Sequence, residues 1–206
     1  MDIEVYGNKL KKLCNYDFKK ILCLLKDNFV DDPHIKEYFS PKYLDKLTSD
    51  KKYDTFMLYN IWHAYTQGFV VSTADNKSVA LYAWHGKMKF SLRFHIYLHL
   101  KMFFRFGILG IYRILKIQGK TIKCYKDDKF LHLVLLCTAV ESRNQGLARK
   151  LVEYGAEQAK LKGVPLLLET AKEENVYIYK KLGFDLYETL VLDKRRNMKI
   201  FLLRKR

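Results

Sequence analysis

The stretch Val140-Glu141-Ser142-Arg143-Asn144-Gln145-Gly146-Leu147-Ala148-Arg149 sets a glycine where an apolar run gives way to a helical one. Upstream, Phe130 to Val140 is almost uninterruptedly apolar and reads as a strand buried on both faces. Downstream, Gly146 to Lys162 has helical periodicity: Leu147, Leu151 and Gly155 fall on one line, with Ala148, Val152, Ala156 and Ala159 beside it. The first N–H groups of such a helix have no partner within it. Together with the positive end of the helix dipole they can hold an anion, phosphate above all. Gly146 lets backbone approach that anion closely, Ala148 keeps the next turn small, and Arg143 and Arg149 add positive charge. A plain solvated helix start satisfies the same letters, so the pattern gains weight only from its place at a strand-to-helix junction and from a second cluster downstream.

That second cluster begins with Leu168-Glu169-Thr170, at the end of a strand over Val164 to Glu169. It continues as Asn175-Val176-Tyr177-Ile178-Tyr179-Lys180-Lys181-Leu182-Gly183-Phe184, a short helix read as capped by Asn175 and stopped at Gly183. With both clusters the sequence resembles the GNAT acetyltransferases over about Gly68 to Phe184, the motifs lying from Leu131 onward. It looks most like the branch containing puromycin N-acetyltransferase. Val164-Pro165, Leu168-Glu169-Thr170, Asn175 and Tyr179-Lys180-Lys181-Leu182-Gly183-Phe184 stand at matching positions, and Phe29-Val30-Asp31-Asp32-Pro33 is similar to that family's first inter-helix loop.

The resemblance implies transfer of an acetyl group from acetyl-CoA to an amine of a small molecule, by direct attack on the thioester. Arg143, Asn144, Gln145, Gly146, Leu147 and Ala148, with Arg149 beside them, would wrap the pyrophosphate. The strand edge through Thr138, Ala139 and Val140 would pair with the pantetheine arm, one backbone N–H of that strand stabilising the developing oxyanion. Asn175 would contact the pantetheine or serve as an ordinary helix cap. Tyr179, counted with both the cofactor-binding and the catalytic residues, would be the general acid for the departing thiolate; otherwise it is a core aromatic, the role assigned to Tyr177 and Tyr187. Many relatives carry a Glu near the position of Leu136 as general base, and leucine cannot do that work. An amine with a lysine-like pKa of about 10.4 still needs an acceptor for its proton. Glu169 is the first substitute, followed by His132 and His85; each also has a structural reading, as a hydrogen-bonding carboxylate, a satisfied buried imidazole and a rim residue.

The elements that must position these groups follow from periodicity. Asn15 is read as the cap of a helix over about Asp17 to Asn28, which presents Ile21, Leu24, Leu25 and Phe29 on one face and ends at Asp31-Asp32-Pro33. A second helical region follows Ser40-Pro41 and restarts near Tyr53, running to Gln67 before Gly68. Phe69 to Ala74 and Ser78 to His85 form a hairpin around Asp75-Asn76-Lys77. Phe184 to Leu192 and Met198 to Leu203 close the chain as strands. The element order implies a mixed α/β (α+β) fold with a central sheet and helices on both faces. The resemblance implies a GNAT-like twisted sheet in one domain over residues 1–206, with a basic-aromatic helical insertion at about 86–129 between the third and fourth strands.

Within that insertion, apolar residues on nearly every even position from Phe90 to Met102 read as a strand, whereas the resemblance implies helix, as does Ile108 to Ile117. It carries eleven Lys or Arg against Asp127 and Asp128, out of 38 Lys and Arg and 22 acidic residues in the 206-residue chain, a net charge of +16. Such charge favours an anionic partner without selecting one. The segment reads as a lid over the acceptor or a cover with a solvated cationic rim. A nucleic-acid surface is the alternative, motivated by interleaved aromatics but by no RNA-binding motif. His95 and His99 are four apart yet lack a third ligand, so no metal is expected. Cys14, Cys23, Cys124 and Cys137 show no paired spacing and read as free thiols in a reducing compartment. No secretory signal or spanning run is evident, so a cytoplasmic protein without membrane insertion is expected, as a monomer or homodimer. A protein or peptide amine as acceptor, or a non-catalytic CoA-binding module, remain the other readings.

Overall fold

The computed structural model describes residues 2–7, 14–40, 44, 47, 50–86, 92–193 and 197–206. Seven strands form one mixed sheet in the order β1-β2-β3-β4-β5-β7-β6. They are β1 (Ile3–Tyr6), β2 (Gly68–Thr73), β3 (Ser78–His85), β4 (Phe130–Thr138), β5 (Leu166–Thr170), β6 (Asp185–Asp193) and β7 (Met198–Lys205). Every neighbouring pair is antiparallel except β4 with β5. The parallel pair needs a crossover, and α5 (Leu147–Leu161) supplies it. The other helices are α1 (Asn15–Phe29), α2 (Pro33–Glu37), α3 (Lys51–Gln67), α4 (Leu92–Ile122) and α6 (Glu173–Lys181).

Strand alternation sorts the core into two layers. Val70, Val79 and Leu81 face α1 to α4 and pack with Ile21, Leu25, Met57 and Ile61. Their neighbours Val71, Ala80 and Tyr82 face the opposite way and pack with Leu151, Val152 and Val176 of α5 and α6. Gly155 permits the second layer. A Cβ there would lie 2.4 Å from the Tyr82 ring, whose hydroxyl donates to Leu151 O at 2.9 Å, so only glycine lets the helix rest on that ring.

Several expectations need correction. Cys14, not Asn15, caps α1, its thiol sulfur accepting from Asp17 N–H. Asp31-Asp32-Pro33 does more than end a helix: Asp32 caps α2, accepting from the N–H groups of His34 and Ile35, and Pro33 opens it because the missing N–H is not needed there. The helical region expected directly after Ser40-Pro41 falls mostly outside the described residues, and the restart expected near Tyr53 is α3, which runs from Lys51 to Gln67. Strand β1, short and terminal, gives too little alternation to be read from sequence; it lies against β2 at the sheet edge. The insertion is helical from Leu92, as the resemblance implies and against the strand-like alternation of Phe90 to Met102, with a break at Gly107 (φ 68°, ψ 174°). Tyr177 is exposed, with the Lys181 ammonium over its ring, so it is no core aromatic; Tyr187 is half-buried on β6.

Candidate active site

Strands β4 and β5 pair over only three positions, from Leu131 with Leu166 to Leu133 with Leu168. Beyond these, Glu169 and Thr170 pair with Leu202 and Phe201 of β7, whereas β4 stays on β3 as far as Thr138. The two strands part in a V. A bulge lies at the parting: Leu81 pairs with Leu135 and Tyr82 with Leu133, leaving Val134 as the extra residue, and such an insertion bends the strand that carries it.

A cavity of about 350 Å³ opens at this V. From the α1–α4 face it is lined by Asp32, His34 and Tyr38, by Tyr59 and His63 of α3, and by Gln118 and Thr121 of α4. The strands contribute His85, His132, Leu136 and Glu169, and Asn175 and Tyr179 reach it from α6 on the opposite face. Side chains from both layers of the fold thus line one cavity where β4 and β5 part.

Burial decides the electrostatics here. Glu169 keeps 12% of its side-chain surface accessible, on the cavity side, and desolvation pushes its pKa up to about 8. His132, with its Nε2 3.6 Å from Glu169 Oε1, is pushed down to about 3, first by desolvation and then by His63, His85 and His34. At neutral pH the carboxyl is thus mostly protonated and the imidazole neutral, so proximity here does not make an ion pair. His34 is lowered to about 4 by burial and accepts from or donates to the Tyr38 hydroxyl at 3.1 Å. His85 is also lowered by burial, and stacks on Phe130 at 4.4 Å between centroids. The Tyr179 phenol is held well above its usual range by burial and then by Asp32 and Cys137, which keeps its proton in place. Its ring packs edge-on to Phe184 at 5.6 Å.

The other end of the V leads to the junction before α5. Thr138 ends β4, its Oγ1 2.8 Å from Ser78 Oγ, and the Ala139 N–H donates to Lys77 O at 2.8 Å. The expected strand stops there, because Val140 opens a 3₁₀ turn through Ser142. Asn144 (φ 62°) and Gly146 (φ 74°) both take the left-handed conformation. Gly146 caps α5 with no side-chain hydrogen bond, and nothing lies within 4 Å of where its Cβ would stand. Gln145 donates to Glu141 O at 3.4 Å, Arg149 is exposed in the first turn of α5, Ala148 is half-buried and Leu147 is buried beneath it. The Arg143 guanidinium is engaged within the fold, donating to Asn28 Oδ1 at 3.0 Å and Thr138 O at 3.5 Å. Asn175 does not cap α6; Lys172 holds that position, and the Asn175 amide donates to Thr170 Oγ1 at 3.2 Å.

The structure brings Glu169, Tyr179, His132, His85 and Asn175 to one cavity, and leaves Arg143 to Arg149 around an exposed helix start. Sequence reasoning missed Asp32, His34, Tyr38, Tyr59 and His63. These come from α2 and α3, far from β5 in sequence, and no spacing links them. The available signals were the likeness of Phe29-Val30-Asp31-Asp32-Pro33 to a family loop and the histidine directly after that proline.

Residues 107–186 match the family model described as "Acetyltransferase (GNAT) domain". No curated protein sequence matches the chain. Among solved structures, the histone acetyltransferase HPA2 and related acetyltransferase of Corynebacterium glutamicum is similar with a TM-score of 0.64 at 17% identity, covering 100% of this chain and 96% of that one. Arylalkylamine N-acetyltransferase 2 of Aedes aegypti gives 0.58 at 16% identity, covering 100% and 99%. The NatC complex bound to Gag peptide and CoA gives 0.55 at 12%, covering 100% and 98%. The fold is that of the GNAT acetyltransferases.

Proposed function

We propose that this GNAT-fold chain moves an acetyl group from acetyl-CoA to an amine of a small molecule by direct attack on the thioester. The observation that carries the reading is that Glu169 and Tyr179 line a single cavity at the V between β4 and β5, with lining side chains drawn from both faces of the sheet. Residues present fit the cosubstrate at both of its ends. An uncapped helix start with open space at Gly146 suits a diphosphate, and the β4 edge past Leu133, which has no ladder partner in β5, suits an extended amide-bearing arm. Acetyl-CoA supplies an activated acyl group and a thiolate leaving group.

This chain's residues would do the rest. The amides of Asn144 to Ala148 bind the diphosphate, and the backbone near the Val134 bulge offers an N–H toward the acyl oxygen. Glu169, ionised in the fraction that its pKa of about 8 allows, takes the proton of the incoming ammonium, with His132 next to it as a neutral relay. Tyr179 returns a proton to the leaving sulfur. The mostly aromatic and imidazole wall around Tyr38, Tyr59 and His63 suits a small acceptor, as do the motifs shared with the puromycin N-acetyltransferase branch. A peptide amine is the second reading, favoured by the fold likeness to the NatC complex.

The test is acetyl-CoA binding followed by release of free thiol across a panel of small amines and peptides. Acetyl-CoA is expected to raise the melting temperature, and Gly146→Glu to abolish that shift, because it places a strained residue and a negative charge against the phosphates. No shift at millimolar acetyl-CoA overturns the proposal. Turnover confined to peptides moves it to the second reading.

A further inference from the structure

Helix α4 turns an apolar face to solvent. Met102, Phe106 and Ile114 point inward and are buried, as the core requires. Their outward neighbours are of similar type: Phe104 and Leu109 are each 81% exposed and Ile108 73%, and Ile96, Leu100 and Leu115 are exposed as well. Before the break at Gly107, Ile96, Leu100 and Phe104 recur at steps of four, and after it Ile108, Leu109, Tyr112 and Leu115 continue the run of exposed apolar side chains, so these are not scattered exceptions. A contiguous apolar surface of this kind marks an interaction site.

The charge on the helix selects the partner. Between Leu92 and Ile122 there are six Lys or Arg and no Asp or Glu. Arg105, Lys116 and Lys120, and Lys123 just beyond, are exposed as well. A second copy of the same helix would bring like charges together, which disfavours self-association through this face. Nucleic acid would meet the cations and could stack on Tyr97, Phe104 and Tyr112, but it gives the protruding Ile96, Leu100, Ile108, Leu109 and Leu115 side chains no apolar medium. An anionic bilayer surface satisfies both features at once: aliphatic and aromatic groups enter the acyl boundary while Lys and Arg stems reach back to the headgroups. No helix among the described residues is long and apolar enough to cross a membrane, so the contact is one of lying on the surface.

We infer that the outer face of α4 docks the protein on anionic phospholipid membranes, with Phe104, Ile108 and Leu109 inserted and Arg105, Lys116, Lys120 and Lys123 on the headgroups. The inner face of the same helix walls the cavity through Gln118 and Thr121, so docking sets the cavity beside the lipid surface.

The experiment is co-sedimentation of the full chain, without cosubstrate or acceptor, with phosphatidylcholine vesicles containing about a third phosphatidylserine. Binding is expected on the order of tenfold tighter than to pure phosphatidylcholine, weakening as salt rises. Phe104→Glu with Leu109→Glu should leave the melting temperature unchanged and the protein in the supernatant. Lys116→Glu with Lys123→Glu, which leaves the exposed apolar side chains intact, should lose the preference for anionic vesicles. Sedimentation equally strong with neutral vesicles, or none with anionic ones at low salt, overturns the inference. So does a concentration-dependent dimer or RNA binding that the Phe104→Glu, Leu109→Glu variant abolishes while wild type ignores vesicles.

Discussion

The two ends of the V between β4 and β5 handle charge in opposite ways. At the helix start, Asn144 to Ala148 offer backbone N–H groups, which carry fixed partial charges and do not titrate. In the cavity, Glu169, His132, His34 and His85 are all titratable and all pushed toward neutrality by burial. A permanently anionic ligand needs grip at any pH. A reacting amine needs a place where protons can be moved. On the proposed function, the first task falls to peptide dipoles in water and the second to side chains out of it.

The sharpest way to break this contrast is Tyr179→Phe. Removing one buried phenol should lower kcat by about 10²- to 10³-fold with little change in the KM for acetyl-CoA. An unchanged kcat at saturating amine would return Tyr179 to a packing role beside Phe184.

Glu169→Gln should cost about 10²-fold in kcat and, more tellingly, change the pH profile. In the wild type kcat/KM should climb with pH and level off above about 8, where the base is ionised; in the variant this limb should vanish. Stability should run the other way. The native carboxyl binds its proton more tightly than the unfolded one, so its contribution is full below the ordinary carboxylate range and is lost as pH rises through about 8. His132 has the reverse sign, its folded pKa being depressed, so its contribution is lost as pH falls from its ordinary value of 6.5 toward about 3. Melting curves across pH for wild type and Glu169→Gln separate the two, since only the alkaline loss should disappear in the variant.

The smallest expected effect lies away from both ends. Gly155→Ala puts a methyl group into the Tyr82 ring and should cost about 1–3 kcal/mol of stability by overpacking, read from denaturant melts. Acetyl-CoA affinity should hardly move, which would show that the helix start keeps its shape when the helix body is lifted.

Legibility in sequence followed chain proximity. The β4–α5–β5–α6 stretch carried its own strand, glycine and capping patterns, and the expected junction at Gly146 and the strand ending in Glu169 lie within a residue or two of the observed limits. The opposite wall was not legible. His34, Tyr38 and His63 occupy ordinary amphipathic helices, and only tertiary packing carries them to Glu169. The start of the insertion misled for a definite reason. Among the described residues of α4, exposed Ile96, Leu100 and Phe104 are as apolar as buried Met102 and Phe106, which flattens the 3.6-residue signal and lets the incidental alternation from Phe90 to Met102 take its place. What hid the helix from pattern reading is the same property that makes its outer surface a docking face.

Three ladder positions join β4 to β5, and they are the whole seam between a four-stranded antiparallel half, β1 to β4, and a three-stranded one, β5 to β7. Sheets elsewhere are zipped along their full length; here the zipper stops early, and the slider's place is left for a guest with an extended chain of amides. On the proposed function, such a guest would serve as a provisional eighth strand that knits the halves for as long as it stays, and occupancy should then stiffen the seam between them.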